Sequence, residues 1–222
     1  MIFNKIIIRI SVAGALLLTA SATVSVSYAA GITENRLAAE LLVMKGDLRR
    51  LDEYITAPIV KKGVKDRLLG ASSSLSLLIR EALDNNGSLP IPPKHSITSL
   101  QLAILNENAK EAKFWVNKLI SLYPFKTRGI LPPIKTRETL ITARALHSEF
   151  CSSCHSNETD VPHEMGIERP AWNLFQMAQE IEQEEFAARL TIGVKGDSLT
   201  AMENPLSYTE ISNLIGYYQN KQ

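Results

Sequence analysis

The N-terminal half of the chain contains three series of apolar residues, each spaced by alternating steps of four and three positions. The first series is Leu37, Leu41, Met44, Leu48, Leu51 and Ile55. The second is Val64, Leu68, Ala71, Leu75, Leu78 and Ala82, and the third is Leu105, Ala109, Ala112, Val116, Leu119 and Tyr123. Such spacing places one apolar stripe along a helix, and three stripes bury each other in a bundle. The series predict an antiparallel helical bundle over residues 30–125, with Met44 in its core.

The breaks between these helices are also visible in the sequence. Ala57-Pro58 ends the first helix and Asn85-Asn86-Gly87 ends the second. Three prolines within residues 90–93 hold an extended connector before the third helix, and His95 in this connector is predicted to be exposed. Residues 126–136 contain two prolines, a glycine and three basic residues, which is typical of a linker.

The only two cysteines of the chain lie three positions apart and are followed directly by a histidine: Cys151, Cys154 and His155. Two thiols at this spacing reach both vinyl groups of one haem, and the histidine becomes the proximal iron ligand. A redox dithiol would require a βαβ context, and a zinc site would require more ligands than His163 supplies. A disulfide here would close too small a loop to stabilise much. The motif predicts one covalently attached haem c.

The N-terminus has the pattern of an export signal. Lys5 and Arg9 precede an apolar stretch at 10–22, and Ser27-Tyr28-Ala29 offers small residues at the two positions that a signal peptidase reads. Residues 1–29 are therefore predicted to be a cleaved signal peptide, and the protein is expected in a bacterial periplasm. An uncleaved membrane anchor is the alternative, although the apolar stretch is short for a bilayer span.

The charges divide the chain unevenly. Residues 30–136 contain 16 Lys and Arg against 10 Asp and Glu, a net charge of +6, whereas residues 137–222 contain 6 against 13, a net of −7. An acidic surface repels phosphate and argues against nucleic acid as a partner. The charge separation is compatible with docking to a redox partner protein by charge, or with solvated helix faces that have no binding role.

Residues 137–222 resemble the class I c-type cytochromes, in which the haem motif is followed by a loop, two or three helices and a late methionine. The resemblance rests on Cys151-Ser-Ser-Cys-His155, Pro170, Thr191-Ile-Gly-Val-Lys-Gly196, Met202 with Pro205, and a last helix ending in Tyr217-Tyr218. It implies an all-α fold in which a leading helix over 137–150 crosses the final helix. Leu146 and Phe150 would then face Leu214 and Tyr217 or Tyr218.

The resemblance also implies the two ligands of the haem iron. His155 would be the proximal ligand, with its N–H bonded to the carbonyl of Pro170. Met202 occupies the place of the distal ligand, and a methionine sulfur raises the reduction potential. The family commonly has proline directly after this methionine, whereas Glu203 and Asn204 intervene here.

Other residues near the motif have competing interpretations. Met165 is too close to His155 to reach the opposite face of a haem, and Met177 is predicted to be a helical core residue. Without a sulfur ligand, His163 or His147 would substitute or the iron would be five-coordinate, although His147 is predicted to be exposed. Arg169 and Trp172 flank Pro170, either at the haem edge or in structural packing.

These features together predict a periplasmic single-haem electron carrier, or the electron-transfer subunit of a respiratory complex. Its partners would be redox proteins, and the chain offers no acid–base or nucleophilic constellation of an enzyme. The alternative is a haem-based sensor or a haem enzyme subunit with an open or exchangeable sixth position. A third hypothesis is an assembly protein in which the haem is structural.

Overall fold

The computed structural model describes residues 16–53, 57–155, 171–193 and 206–220, and in the first range it describes the side chains of residues 34–52. These residues form eight helices and no strand, so the prediction of an all-α chain is confirmed. The helices are α1 (Leu16–Glu53), α2 (Pro58–Asn85), α3 (Ser96–Leu105), α4 (Ala109–Leu122), α5 (Arg137–Phe150), α6 (Leu174–Glu180), α7 (Gln183–Ile192) and α8 (Tyr208–Gln219). Among the described helices, none combines the length and apolar character needed to span a bilayer.

The first four helices, called here the N-terminal unit, bury the apolar stripes that the sequence predicts. α1 packs on α2 and α4, and α3 packs on α2 and α4. Met44, Leu68 and Leu119 are fully buried at the centre of this core, so the prediction for Met44 is confirmed. The predicted breaks are confirmed as well, because α2 begins at Pro58 and ends at Asn85.

The N-terminal unit also contains a helix that the pattern did not predict. α3 follows the prolines of the connector directly, and Leu100, Ala103 and Ile104 bury its inner side. Leu105, assigned to the third stripe, ends α3 and is half exposed. Asn108 then caps α4 by accepting a hydrogen bond from the N–H of Glu111. His95 is exposed, as predicted.

The last four helices, called here the C-terminal unit, enclose a second core. α5 packs on α8, and α6 and α7 also pack on α8. α5 and α8 both begin with a capping box, from Thr136 with Thr139 and from Ser207 with Glu210. Met177 is buried in α6, which confirms its prediction as a helical core residue.

The segment predicted to be a linker is packed against the C-terminal unit. Ile130 is fully buried in the second core, and its N–H and that of Leu131 donate to the carbonyl of Thr127. A Cβ on Gly216 of α8 would lie 3.2 Å from the carbonyl oxygen of Ile134, so this segment lies directly on the helix. Residues 126–136 therefore fix the position of α8 instead of acting as a flexible tether.

α1 and α7 join the two units through small apolar residues and charged residues. Ala39 and Val43 of α1 pack on Ala188 and Ile192 of α7 with full burial. A Cβ on Gly46 would overlap the carboxylate of Glu185, so a larger residue at this position would displace that carboxylate. The two units therefore share a dry interface.

A charged group, called here the interface ion cluster, extends this contact. Its members are Glu40, Asp47, Arg49, Arg67, Glu185 and Arg189. The carboxylate of Asp47 lies 2.5 Å from Arg67 and 2.7 Å from Arg189, and its side chain is 2% exposed. Burial raises the pKa of Asp47, but Arg189 and Arg67 outweigh it and bring the pKa below the ordinary value. The cluster contains three positive and three negative groups, so its buried charges are paired.

Candidate cofactor-attachment site

The Cys-Ser-Ser-Cys-His motif forms a tight turn at the C-terminal end of α5. The N–H groups of Cys151 and Ser152 donate to the carbonyl of His147, which ends the helix. The N–H groups of Cys154 and His155 then donate to the carbonyl of Cys151, at 3.2 and 2.9 Å. This folding-back holds the two cysteines and the histidine of the motif together on one turn.

Both cysteines are free thiols, in different surroundings. Cys151 is half-buried against the second core, and Cys154 is exposed. Burial raises the pKa of the Cys151 thiol, and a hydrogen bond with Tyr218 lowers it in part. The turn therefore presents one thiol at the protein core and one toward the solvent.

The ring of His155 has a fixed orientation. Its Nδ1 lies 2.6 Å from the carbonyl oxygen of Trp172, and because a carbonyl only accepts, Nδ1–H is the donor. Burial lowers the pKa of His155, and the hydrogen bond to Trp172 opposes this in part. The neutral ring therefore has its lone pair on Nε2, the nitrogen that a proximal iron ligand uses.

The partner of the His155 N–H corrects one prediction. The carbonyl of Trp172, and not that of Pro170, accepts the Nδ1–H bond. Pro170 itself lies outside the described residues, so any other contact to a cofactor remains a prediction. The expected hydrogen bond exists but is displaced by two residues along the chain.

An aromatic group surrounds His147 at the base of the turn. Phe175, Tyr217 and Tyr218 have ring centroids 5.1 to 5.9 Å from one another and from the imidazole. The Nδ1 of His147 is 2.8 Å from the hydroxyl of Tyr218, whose side chain is almost fully buried. Burial lowers the pKa of His147, with a smaller contribution from His155. The prediction that His147 is exposed is wrong, because its ring is part of this aromatic group.

The contact between α5 and α8 agrees in part with the sequence. Ala143 of α5 is fully buried beside Leu214 and Tyr218, and Leu146 packs against the same core. Phe150, by contrast, is 41% exposed. Cys151 follows it and takes the inward position, because the chain leaves helical geometry at this residue.

The distal side of the site cannot be built from the described residues. Met202, Met165, His163 and Arg169 lie outside them, as does Pro170. Within the described ranges, no group of three or more His, Cys, Asp and Glu side chains is placed to hold a metal ion. The site as described therefore consists of two thiols, one oriented imidazole and an aromatic core beneath them.

Two groups at this site were not predicted from the sequence. The carbonyl of Trp172 is a backbone acceptor and has no signal in the residue pattern. Arg50, on α1, contributes its guanidinium, which lies 4.1 Å from the centroid of the Trp172 ring. Because 122 positions separate Arg50 from Trp172 in the sequence, no local spacing indicates that they meet.

The residues of the turn fit covalent attachment of a haem. Two free thiols supply the sulfur atoms of two thioethers, and His155 offers a bare Nε2 held in one orientation. No protein-family model matches the chain, and comparisons with curated proteins and with solved structures give no match. The candidate function therefore rests on this chemistry and on the resemblance stated above.

Proposed function

We propose that the protein is a monohaem c-type cytochrome that transfers single electrons between redox partners. The observation that carries the proposal is the orientation of His155, whose Nδ1–H is committed to Trp172 while both motif thiols remain free. When bound, a haem at this site supplies a one-electron ferric–ferrous couple. The protein needs no acid or base for this reaction, and the proposed role is that of a carrier and not of an enzyme.

The residues around the turn would perform three tasks. Cys151 and Cys154 would hold the haem covalently, and His155 would supply a nitrogen ligand to its iron. The bond from His155 to Trp172 makes the imidazole a stronger donor, which favours ferric iron. The aromatic group formed by His147, Phe175, Tyr217 and Tyr218 excludes water beneath the attachment turn, and a dry environment favours the form of lower charge.

Met202 is proposed as the distal ligand on the resemblance alone. A sulfur ligand would close the sixth position and keep small molecules off the iron. Replacing Met202 with Ala should abolish the red-region charge-transfer band of the ferric protein and permit carbon monoxide to bind the ferrous protein rapidly. Met177→Ala is the matched control, because Met177 is buried in α6. Rapid carbon monoxide binding by the unaltered protein would favour the sensor or enzyme alternative.

The proposed location is the periplasm, because covalent haem attachment takes place outside the cytoplasm and residues 1–29 have the pattern of a signal. The C-terminal residues 137–222 have a net charge of −7, so a partner with a basic docking face is proposed. Association with such a partner should weaken as salt is raised, because exposed charges are screened.

The attachment itself is tested by export with a haem-maturation system. Haem that stays on the chain after denaturation, and a mass increase of one haem, are the expected results. Cys151→Ala and Cys154→Ala together should abolish both signals. Ser153→Ala changes the same turn without removing a thiol and should retain both signals. An unaltered protein that is exported but carries no covalent haem would contradict the proposal.

A further inference from the structure

The two helical units meet at Trp172 through a cation on an aromatic ring. The guanidinium carbon of Arg50, on α1, lies 4.1 Å from the centroid of the indole. A guanidinium within about 6 Å of an aromatic centroid is attracted by the negative face of the ring, and more so where water is excluded. Both side chains are half-buried, so the contact is partly desolvated.

Charges from three helices surround Arg50. Asp47 on α1, Glu180 on α6 and Glu185 on α7 attract its guanidinium, whereas Arg189 on α7 repels it. Asp47 and Glu185 belong to the interface ion cluster, which joins α1 to α7. The position of Arg50 over the indole is therefore determined by how the N-terminal unit docks on the C-terminal unit.

Trp172 connects this contact to the proximal histidine. Its ring carries the cation of Arg50, and its carbonyl oxygen accepts the Nδ1–H of His155 at 2.6 Å. The next residue, Asn173, caps α6 by accepting hydrogen bonds from the N–H groups of Phe175 and Gln176. Two contacts therefore hold Trp172 and its carbonyl in place. The cap by Asn173 fixes the chain that follows Trp172, and Arg50 of α1 contacts its ring.

We propose that Arg50 is a positioning residue for the proximal ligand, acting through Trp172 on the hydrogen bond to His155. This inference rests on the proposed function, because it treats His155 as the iron ligand. It gives the N-terminal unit a role in setting the reduction potential. By holding the Trp172 carbonyl in place, Arg50 strengthens the donor character of the imidazole and so favours ferric iron.

The direct test is the rate at which the His155 Nδ1–H proton exchanges with water. This rate is measured by NMR in the reduced full-length protein. Arg50→Gln removes the cation, and Trp172→Leu removes the ring but keeps the carbonyl. Each should accelerate the exchange about tenfold, the change expected when a partly desolvated cation–π contact is lost. The double variant should exchange no faster than the faster single variant, because both remove one contact.

Lys45→Gln is the matched control, since it removes the same charge from α1 at an exposed position outside the interface ion cluster. Its exchange rate should stay within about twofold of the unaltered protein. Arg50→Lys keeps a cation and should restore most of the protection. The midpoint potential of Arg50→Gln should lie above that of Lys45→Gln. The expected difference corresponds to about a threefold rise in the ferrous-to-ferric ratio, roughly 28 mV at 59 mV per tenfold.

Equal exchange rates in Arg50→Gln and Lys45→Gln would overturn the inference. So would a double variant whose acceleration is the product of the two single effects. If Arg50→Gln does not fold, Trp172→Leu carries the test alone, and an exchange rate equal to that of the unaltered protein then overturns the inference. The exchange is also measurable in haem-free protein. The two hypotheses can therefore fail separately. Absence of covalent haem would contradict the proposed function, whereas an unchanged exchange rate in the haem-free variants would contradict the role of Arg50.

Discussion

The cores of the two helical units differ in kind. In the N-terminal unit the hydrophobic core is aliphatic except for Met44 and Tyr123, and its helices have 10 residues or more. In the C-terminal unit Phe186 and Tyr218 are buried, with Phe175 and Tyr217 packed against them edge to face or tilted. Aliphatic packing is non-directional, whereas aromatic rings and their polar groups demand particular angles and partners.

The two cores also differ in how they meet the Cys-Ser-Ser-Cys-His turn. The aromatic core reaches the attachment turn directly, through the hydroxyl of Tyr218 near His147 and Cys151. Among the described residues, the N-terminal unit approaches the turn through Arg50 of α1, which contacts Trp172. The aliphatic core is therefore expected to control stability, whereas the aromatic core, together with Arg50 of α1, is expected to control the surroundings of His155.

The largest expected effect comes from breaking the interface ion cluster, on which the contact between the units depends. Arg189→Met removes the partner of Asp47 and Glu185 and leaves two buried carboxylates with less compensation. The free energy of unfolding should fall by about 3–5 kcal/mol, measured by urea denaturation. Lys62→Met breaks an exposed pair with Asp66 and should cost less than about 1 kcal/mol. Equal losses in the two variants would contradict the importance of the cluster.

The next prediction concerns a mutation in the aliphatic core that should lower stability without changing the site. Leu68 is fully buried in α2, and Leu68→Ala should lower the free energy of unfolding by about 2–5 kcal/mol. The absorption spectrum and reduction potential should not change, because this core does not touch the attachment turn. Leu102→Ala truncates a leucine that is 53% exposed and should cost less than about 0.5 kcal/mol. A shift of the potential in Leu68→Ala would show that the two cores are not independent.

The sequence predicted the aliphatic core far better than the aromatic one. Long stripes such as that from Val64 to Ala82 repeat with the helical period, so burial follows from spacing alone. The surroundings of His155 depend instead on a backbone carbonyl and on a cation from α1, and neither leaves a periodic signal. α3 was missed because a 10-residue helix directly after several prolines carries too few turns to establish a period.

A smaller effect is expected from acid, and it tests the same interface without a mutation. The arginines hold the pKa of Asp47 below its ordinary value, so Asp47 contributes stability that is present above the unfolded pKa of about 3.9. This contribution is lost as the pH falls below that value and through the folded pKa. The free energy of unfolding should therefore decrease with acid below about pH 4. Asp47→Asn should make this decrease less steep, and an unchanged slope would exclude Asp47 as its source.

The smallest effect concerns the hydroxyl of Tyr218, which links the aromatic core to the motif. Tyr218→Phe keeps the ring and its edge-to-face contacts but removes the hydrogen bond to His147 at 2.8 Å. The free energy of unfolding should fall by about 0.5–1.5 kcal/mol, the usual value of one hydrogen bond. Tyr217→Phe makes the same change at the neighbouring, half-buried tyrosine and should have a smaller effect.

The spectrum of Tyr218→Phe separates two explanations for this hydroxyl. If it orients the aromatic core toward Cys151, the absorption spectrum of the attached haem should shift in Tyr218→Phe and not in Tyr217→Phe. If both variants lose stability equally and neither shifts the spectrum, the hydroxyl acts only in packing. In that case the geometry of the aromatic core would depend on its ring contacts alone. The contact between Arg50 and Trp172 would then be the remaining described link between the N-terminal unit and His155.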